Sequence, residues 1–251
     1  MNDFKKRVAI VTGGASGIGR SVSELFASQN ISGLTIADIQ SDLMNELSLA
    51  LEKHSDSNVL MSKTDISDQT EVNQMVQRTI DRFGQVDILV NNAGICPMVP
   101  WNETTLENWN QMLSVNLTSA FLCSKAVLPY MREKKYGRLV HISSVGAFVG
   151  SVTGHVAYGV SKAGIIALSK YIAKQFASEG ILSNVVSPGS IDTPITQSFG
   201  EENEKQYREA SPLKRQGTPR EVAETVLFLA SPRSTYITGS TMHVNGGSLL
   251  V

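Results

Sequence analysis

The sequence predicts an α/β fold: one domain built on a doubly wound parallel sheet with helices on both faces. Two observations carry this. Strand-length, largely apolar runs alternate with longer segments of helical period, and a glycine-rich turn follows the first of them. Near-continuous apolarity marks strands buried on both faces, and alternation with helices marks βαβ units.

Taken in order, strands are expected at 7–13 (RVAIVTG), 33–38 (GLTIAD), 58–65 (NVLMSKTD), 86–94 (VDILVNNAG), 137–144 (GRLVHISS), 181–189 (ILSNVVSPG) and 240–247 (STMHVNGG). Helices are expected at 17–29, 41–54, 68–83, 105–132, 156–178 and 219–230. Asp68 with Glu71 three residues on predicts a capping box, and Gly84 a C-cap. The stretch 189–218 breaks the pattern with an apolar start and then a charged run. It reads as a substrate lid or as a solvated surface loop.

At 251 residues the chain is long enough for one large domain with a sizeable core. Its 22 basic and 23 acidic residues nearly cancel, so neither nucleic acid nor an anionic membrane is an expected partner. Two cysteines without a CxxC pair and four scattered histidines predict neither a disulfide framework nor a metal site. The start MNDFKKRVAIVTGG enters a strand directly, and no run of about 18 apolar residues is evident, so a cytoplasmic protein is expected.

The turn TGGASGIGR spaces Gly13, Gly17 and Gly19 as GxxxGxG. Glycines there let backbone approach a pyrophosphate, and Ser16, Gly17 and Ile18 open a helix whose free N–H groups and positive dipole end favour an anion. Asp38 ends the second strand 19 residues after Gly19, where a carboxylate accepts hydrogen bonds from ribose hydroxyls and repels a 2′-phosphate. Neither Gly14, Ala15 and Ser16 nor Ile39 supplies a compensating cation. NAD is therefore expected over NADP.

Tyr158 and Lys162 share a helix face four residues apart. Moving a tyrosine from a pKa of about 10 to about 7 takes roughly 4 kcal/mol. An ammonium about 4 to 5 Å away supplies a Coulomb term of that size at an effective dielectric of about 20, less the desolvation of both groups. The pair is thus a candidate acid/base and its pKa-setting partner.

TGGASGIG, NNAG at 91–94, Asn116 in SVNLTSAF, ISS at 142–144, YGVSK at 158–162, NVVSPGSIDT at 184–193 and YITGSTMHVNGG at 236–247 resemble, in order and spacing, the short-chain dehydrogenase/reductase family. That resemblance spans the whole chain and implies a Rossmann-type sheet of about seven strands ordered 3-2-1-4-5-6-7. It implies hydride transfer between a nicotinamide cofactor and a secondary alcohol or ketone, with Asn116, Ser144, Tyr158 and Lys162 as the catalytic set. Ser143 is the neighbouring alternative to Ser144, but side chains alternate along a strand, so only one should face the site. Ser144 precedes Tyr158 by 14 residues, one more than the usual family spacing.

By the same resemblance, Lys162 grips the nicotinamide ribose, Asn116 marks a helix kink, and Asp65 and Ile66 lie at the adenine. Asn91, Ala93 and Gly94 line the cofactor floor, and Pro188, Gly189, Ile191 and Thr193 hold the carboxamide. Substrate-pocket candidates are Met98, Val149, Val152, His155, Ile195 and Phe199. His155 reads first as a surface histidine and second as a polar reader of the substrate.

Two other readings stay open. One is an NADPH-dependent 3-oxoacyl-[acyl-carrier-protein] reductase, for which Lys135 stands at one basic docking position while Glu179 reverses the charge at the other. The other is a non-catalytic NAD-binding protein. The resemblance also implies a homotetramer or homodimer formed through the long helices, with the apolar GGSLLV terminus suited to a subunit contact.

Overall fold

The computed structural model describes residues 3–52, 58–150 and 155–251. Val152 lies outside them. Seven parallel strands are hydrogen-bonded in the order β3-β2-β1-β4-β5-β6-β7. They are β1 (Val8–Thr12), β2 (Gly33–Asp38), β3 (Val59–Lys63), β4 (Ile88–Asn91), β5 (Gly137–Ile142), β6 (Ile181–Pro188) and β7 (Thr241–Val244). Every residue of β1, β2, β4 and β5 is buried, as near-continuous apolar runs require.

The longer helices are α1 (Gly17–Ser28), α2 (Ser41–Glu52), α3 (Gln69–Phe83), α4 (Leu106–Leu113), α5 (Ser119–Lys134), α7 (Val156–Phe176) and α10 (Pro219–Ala230). Two cores flank the sheet. One joins β1, β2 and β4 to α1 and α10 through Val22, Phe26, Val226 and Leu229. The other joins the opposite face to α3, α5 and α7 through Met75, Val127, Met131 and Ile172.

The chain winds from β1 outward to β3, then crosses to β4 and winds outward to β7. The reversal between β1 and β4 opens a crevice at the carboxyl ends of the strands, where ligands of such sheets bind.

Four expectations change. The helix expected at 105–132 is interrupted by a π turn at Ser114–Thr118, centred on Asn116. The 189–218 segment is not irregular: it carries α8 (Pro194–Gln197), capped by Thr193, and α9 (Glu201–Ala210), whose first-turn Glu201, Glu202 and Glu204 complement the positive end of the helix dipole. Asp68 caps α3 through Thr70 and Glu71 N–H groups, but Glu71 reaches back to the N–H of Asp65 at 2.7 Å instead of closing a box on Asp68. Finally, 106–134 is, by length and composition, apolar enough to cross a bilayer. The most apolar window in it is 44% buried inside the fold, and α5 packs on α3. A short α6 (Gly146–Val149) precedes α7.

Candidate active site

The crevice is a cleft of about 590 Å³. One end is built by the turn between β1 and α1. Gly13 has φ 59°, and a Cβ there would lie 2.7 Å from the Cα of Ala93. A Cβ on Gly19 would fall 2.0 Å from the carbonyl oxygen of Gly13, so the helix packs against its own entry turn only without a side chain. Ser16 makes no capping hydrogen bond, which leaves the first N–H groups of α1 for an anion in the cleft. Gly13, Ser16, Gly17 and Ile18 line the cleft; Gly19 supports them from beneath.

Asp38 lines the same cleft at the end of β2 and is 6% exposed. Its carboxylate accepts from the N–H of Ala15 at 3.1 Å and of Gln40 at 3.0 Å, which ties the glycine turn to β2 and fixes the acid's orientation. Asp65 and Ile66 line the cleft beyond it, and Asp65 accepts from the N–H and hydroxyl of Ser67 at 2.9 and 2.6 Å. Lys162 is the only basic side chain among the described residues lining the cleft. These residues fit a dinucleotide: glycine backbone and a helix terminus for the pyrophosphate, and carboxylates for ribose and adenine.

Asn91 does not line the floor. Its amide lies under the sheet end, 3.3 Å from Ser124 Oγ and 3.1 Å from His141 Nδ1. Ala93 and Gly94 do line it, together with Asn92, whose amide donates to the carbonyls of Thr12 and Gly13 at 3.0 Å each. Alternation at the strand end turns one asparagine of NNAG inward and gives the other to the cleft. Gln111, Ser114 and Val115 also line the cleft, brought there by the α4 end and the π turn.

The π turn has a visible cause. Buried Asn116 accepts from the N–H of Ile95 at 2.8 Å and donates to its carbonyl at 2.9 Å, clamping the loop after β4. Asn116 therefore stands behind the cleft wall, 3.3 Å from Ser161 Oγ. Such single-turn π bulges concentrate at functional sites.

Ser143 and Ser144 both line the cleft, against the expectation that only one would face it, and differ in their partners. Ser143 donates to the carbonyl of Lys162 at 2.8 Å, while Ser144 accepts from the N–H of Gly146 at 3.1 Å and hydrogen-bonds the Tyr158 side chain. Lys162 is 4% exposed; Nζ donates to the carbonyl of Ile142 at 3.0 Å and lies 5.7 Å from the Tyr158 ring centroid.

The expected pKa relation is reversed in the protein alone. Burial raises the Tyr158 hydroxyl above the ordinary tyrosine value, with only the hydrogen bond to Ser144 pulling it down. Burial lowers Lys162 to about 8. Desolvation dominates both shifts because both groups lie in the same enclosed corner. Cys96, pushed up to about 11 by burial, is a thiol there.

On the substrate side, Ile195 lines the cleft, together with Pro194 and Thr196. Met98, Val149 and Phe199 are not among the cleft-lining residues. Met98 and Val149 are 40% and 61% exposed, and Phe199 packs on Tyr207 of α9 with ring centroids 6.2 Å apart. His155 is neither a surface residue nor a cleft residue: it is 0% exposed and caps α7, with Nδ1 accepting from the N–H of Ala157. Pro188, Gly189, Ile191 and Thr193 line the cleft.

Comparison with known proteins agrees with this geometry. A family model described as Enoyl-(Acyl carrier protein) reductase matches residues 13–248. The 3-oxoacyl-[acyl-carrier-protein] reductase of Synechocystis sp. (strain ATCC 27184 / PCC 6803 / Kazusa) is 36% identical over 251 residues, 100% of both chains. The 3-oxoacyl-[acyl-carrier-protein] reductase FabG of Escherichia coli (strain K12) is 35% identical over 249 residues, covering 99% of this chain and 100% of its own. The solved structure of levodione reductase superposes with a TM-score of 0.92 at 30% identity, covering 97% of this chain and 98% of that one.

Proposed function

This chain belongs to the short-chain dehydrogenase/reductase family, and from that premise we propose that it is an NAD(H)-dependent oxidoreductase acting on a secondary alcohol or ketone. The observation that carries the proposal is the convergence of Ser144, Tyr158 and Lys162 at one end of a dinucleotide-shaped cleft. A nicotinamide cofactor bound in this cleft would supply or accept the hydride. In reduction, Ser144 and Tyr158 hydrogen-bond the substrate carbonyl oxygen and Tyr158 gives it a proton. The raised pKa keeps Tyr158 protonated at neutral pH, so the proton is present to be given. Lys162 orients the ribose hydroxyls, and Asn116 holds the backbone wall beside it.

The NAD preference follows from charge. Asp38 and Asp65 line the nucleotide end, where no described cleft residue offers a cation to a 2′-phosphate. Initial rates with NADH and NADPH across ketones, β-keto thioesters and cyclic diketones test this. NADH is expected to be preferred, and Asp38→Ala to erode the preference; a wild type that prefers NADPH overturns the role given to Asp38.

The second reading, a 3-oxoacyl-[acyl-carrier-protein] reductase, is favoured by the names of the relatives at 35–36% identity. Against it, Glu179 is held by Arg132 at 2.8 Å, so the surface that resemblance would make basic carries a neutralised pair. Turnover of a carrier-protein thioester above that of small ketones would decide for it.

A further inference from the structure

We infer that His155 is a positioning residue for Tyr158, the joint at which three elements converging on the cleft are locked in register. This inference rests on the oxidoreductase reading above. The backbone N–H of His155 donates to the carbonyl of Pro97 at 3.3 Å, in the loop after β4. Its Nδ1 accepts from the N–H of Ala157 at 3.0 Å, at the start of α7. Its Nε2 lies 2.8 Å from Oδ1 of Asn108, in the first turn of α4.

The partners fix the proton. An N–H points at Nδ1, so the neutral ring carries its hydrogen on Nε2 and donates it to Asn108. Asn108 presents oxygen there because the same Oδ1 also accepts from the N–H of Thr105 at 3.0 Å. A serine, threonine or asparagine is the usual N-cap. Only a ring with nitrogens on two edges caps α7 and reaches α4 as well.

The joint lies close to the reacting atoms. The carbonyl of His155 accepts from the N–H of Tyr158 at 2.9 Å, so the tyrosine sits in the first turn that the imidazole anchors. The other arm, α4, leads directly into the π turn that carries Asn116 and clamps Ile95. One side chain thus ties the acid to the wall it faces. A shift of about 1 Å at such a lever is enough to cost on the order of a hundredfold in rate.

The test uses the full chain with a ketone that the wild type reduces. His155→Ala and Asn108→Ala are each expected to lower kcat about tenfold or more while KM and NADH affinity stay within about twofold. His155→Asn, which restores the cap but not the reach to α4, should recover activity only to the Asn108→Ala level. The double alanine variant should be no slower than His155→Ala alone.

Wild-type kcat in His155→Ala, an equal loss of NADH affinity, or additive losses in the double variant overturn the inference, because a merely structural cap would lower stability without this split. Should His155→Ala fail to fold, Asn108→Ala carries the kinetic arm and ¹⁵N shifts of the wild-type imidazole carry the other. An Nδ1–H or averaged ring sinks the joint. A wild type that binds NADH and reduces no ketone sinks the oxidoreductase reading instead, and the ring shifts still decide whether the joint exists.

Discussion

At the scale of single residues, the site turns on Tyr158 and Lys162 and on how burial treats each. Tyr158 is raised and stays protonated through neutral pH; Lys162, lowered to about 8, is charged below that value and neutral above it. Reduction needs both the phenolic proton and the ammonium, so kcat/KM for a ketone should be flat on the acid side and fall as pH rises through about 8. A profile that instead rises through this window would show that Lys162 works uncharged. The residue pair was legible from its spacing, and its electrostatics were not. Spacing gives the attraction between the two groups, whereas desolvation depends on the loop after β4 and on α4, which pack against them from elsewhere in the chain. Asn91 and His155 misled for a related reason: which asparagine of NNAG faces the cleft, and what a histidine's second nitrogen touches, are decided by long-range packing.

At the scale of elements, the π turn at Ser114–Thr118 is the feature with the clearest energetic cause. Asn116 satisfies both backbone groups of Ile95, and leaving a buried donor or acceptor unpaired costs about 1–3 kcal/mol each. Asn116→Leu is therefore expected to lower unfolding free energy by about 2–4 kcal/mol and to slow turnover, read by urea denaturation and steady-state rates. Stability within about 0.5 kcal/mol of the wild type would remove the clamp from the account. In sequence, the residues alone showed the break only as an asparagine inside a helical run, and it was the family resemblance that implied a kink there. Helices α8 and α9 were hidden differently: EENEKQYREA lacks an apolar stripe, so its helix shows in composition and in the acidic first turn, not in periodicity.

At the scale of the molecule, the strand order was the most legible feature, because largely apolar runs alternating with helices admit few topologies. The crevice then follows from the winding reversal between β1 and β4. The outer faces of α5 and α7 expose Phe121 and Tyr171 at 47% and 65%, beside a shallow apolar groove of about 320 Å³. At the C-terminus Leu250 and Val251 are 85% exposed. These faces support the proposed homotetramer or homodimer, and light scattering is expected to give two or four times the chain mass; a monomer at micromolar concentration would contradict it.

The central claim is that Tyr158 is the acid of an NADH-dependent ketone reduction. Its most direct test is the rate of NADH oxidation with a reducible ketone, wild type against Tyr158→Phe, with NADH affinity measured by fluorescence on both. The account predicts a loss in kcat of at least about a hundredfold with NADH affinity retained. Equal rates in the two proteins would contradict it.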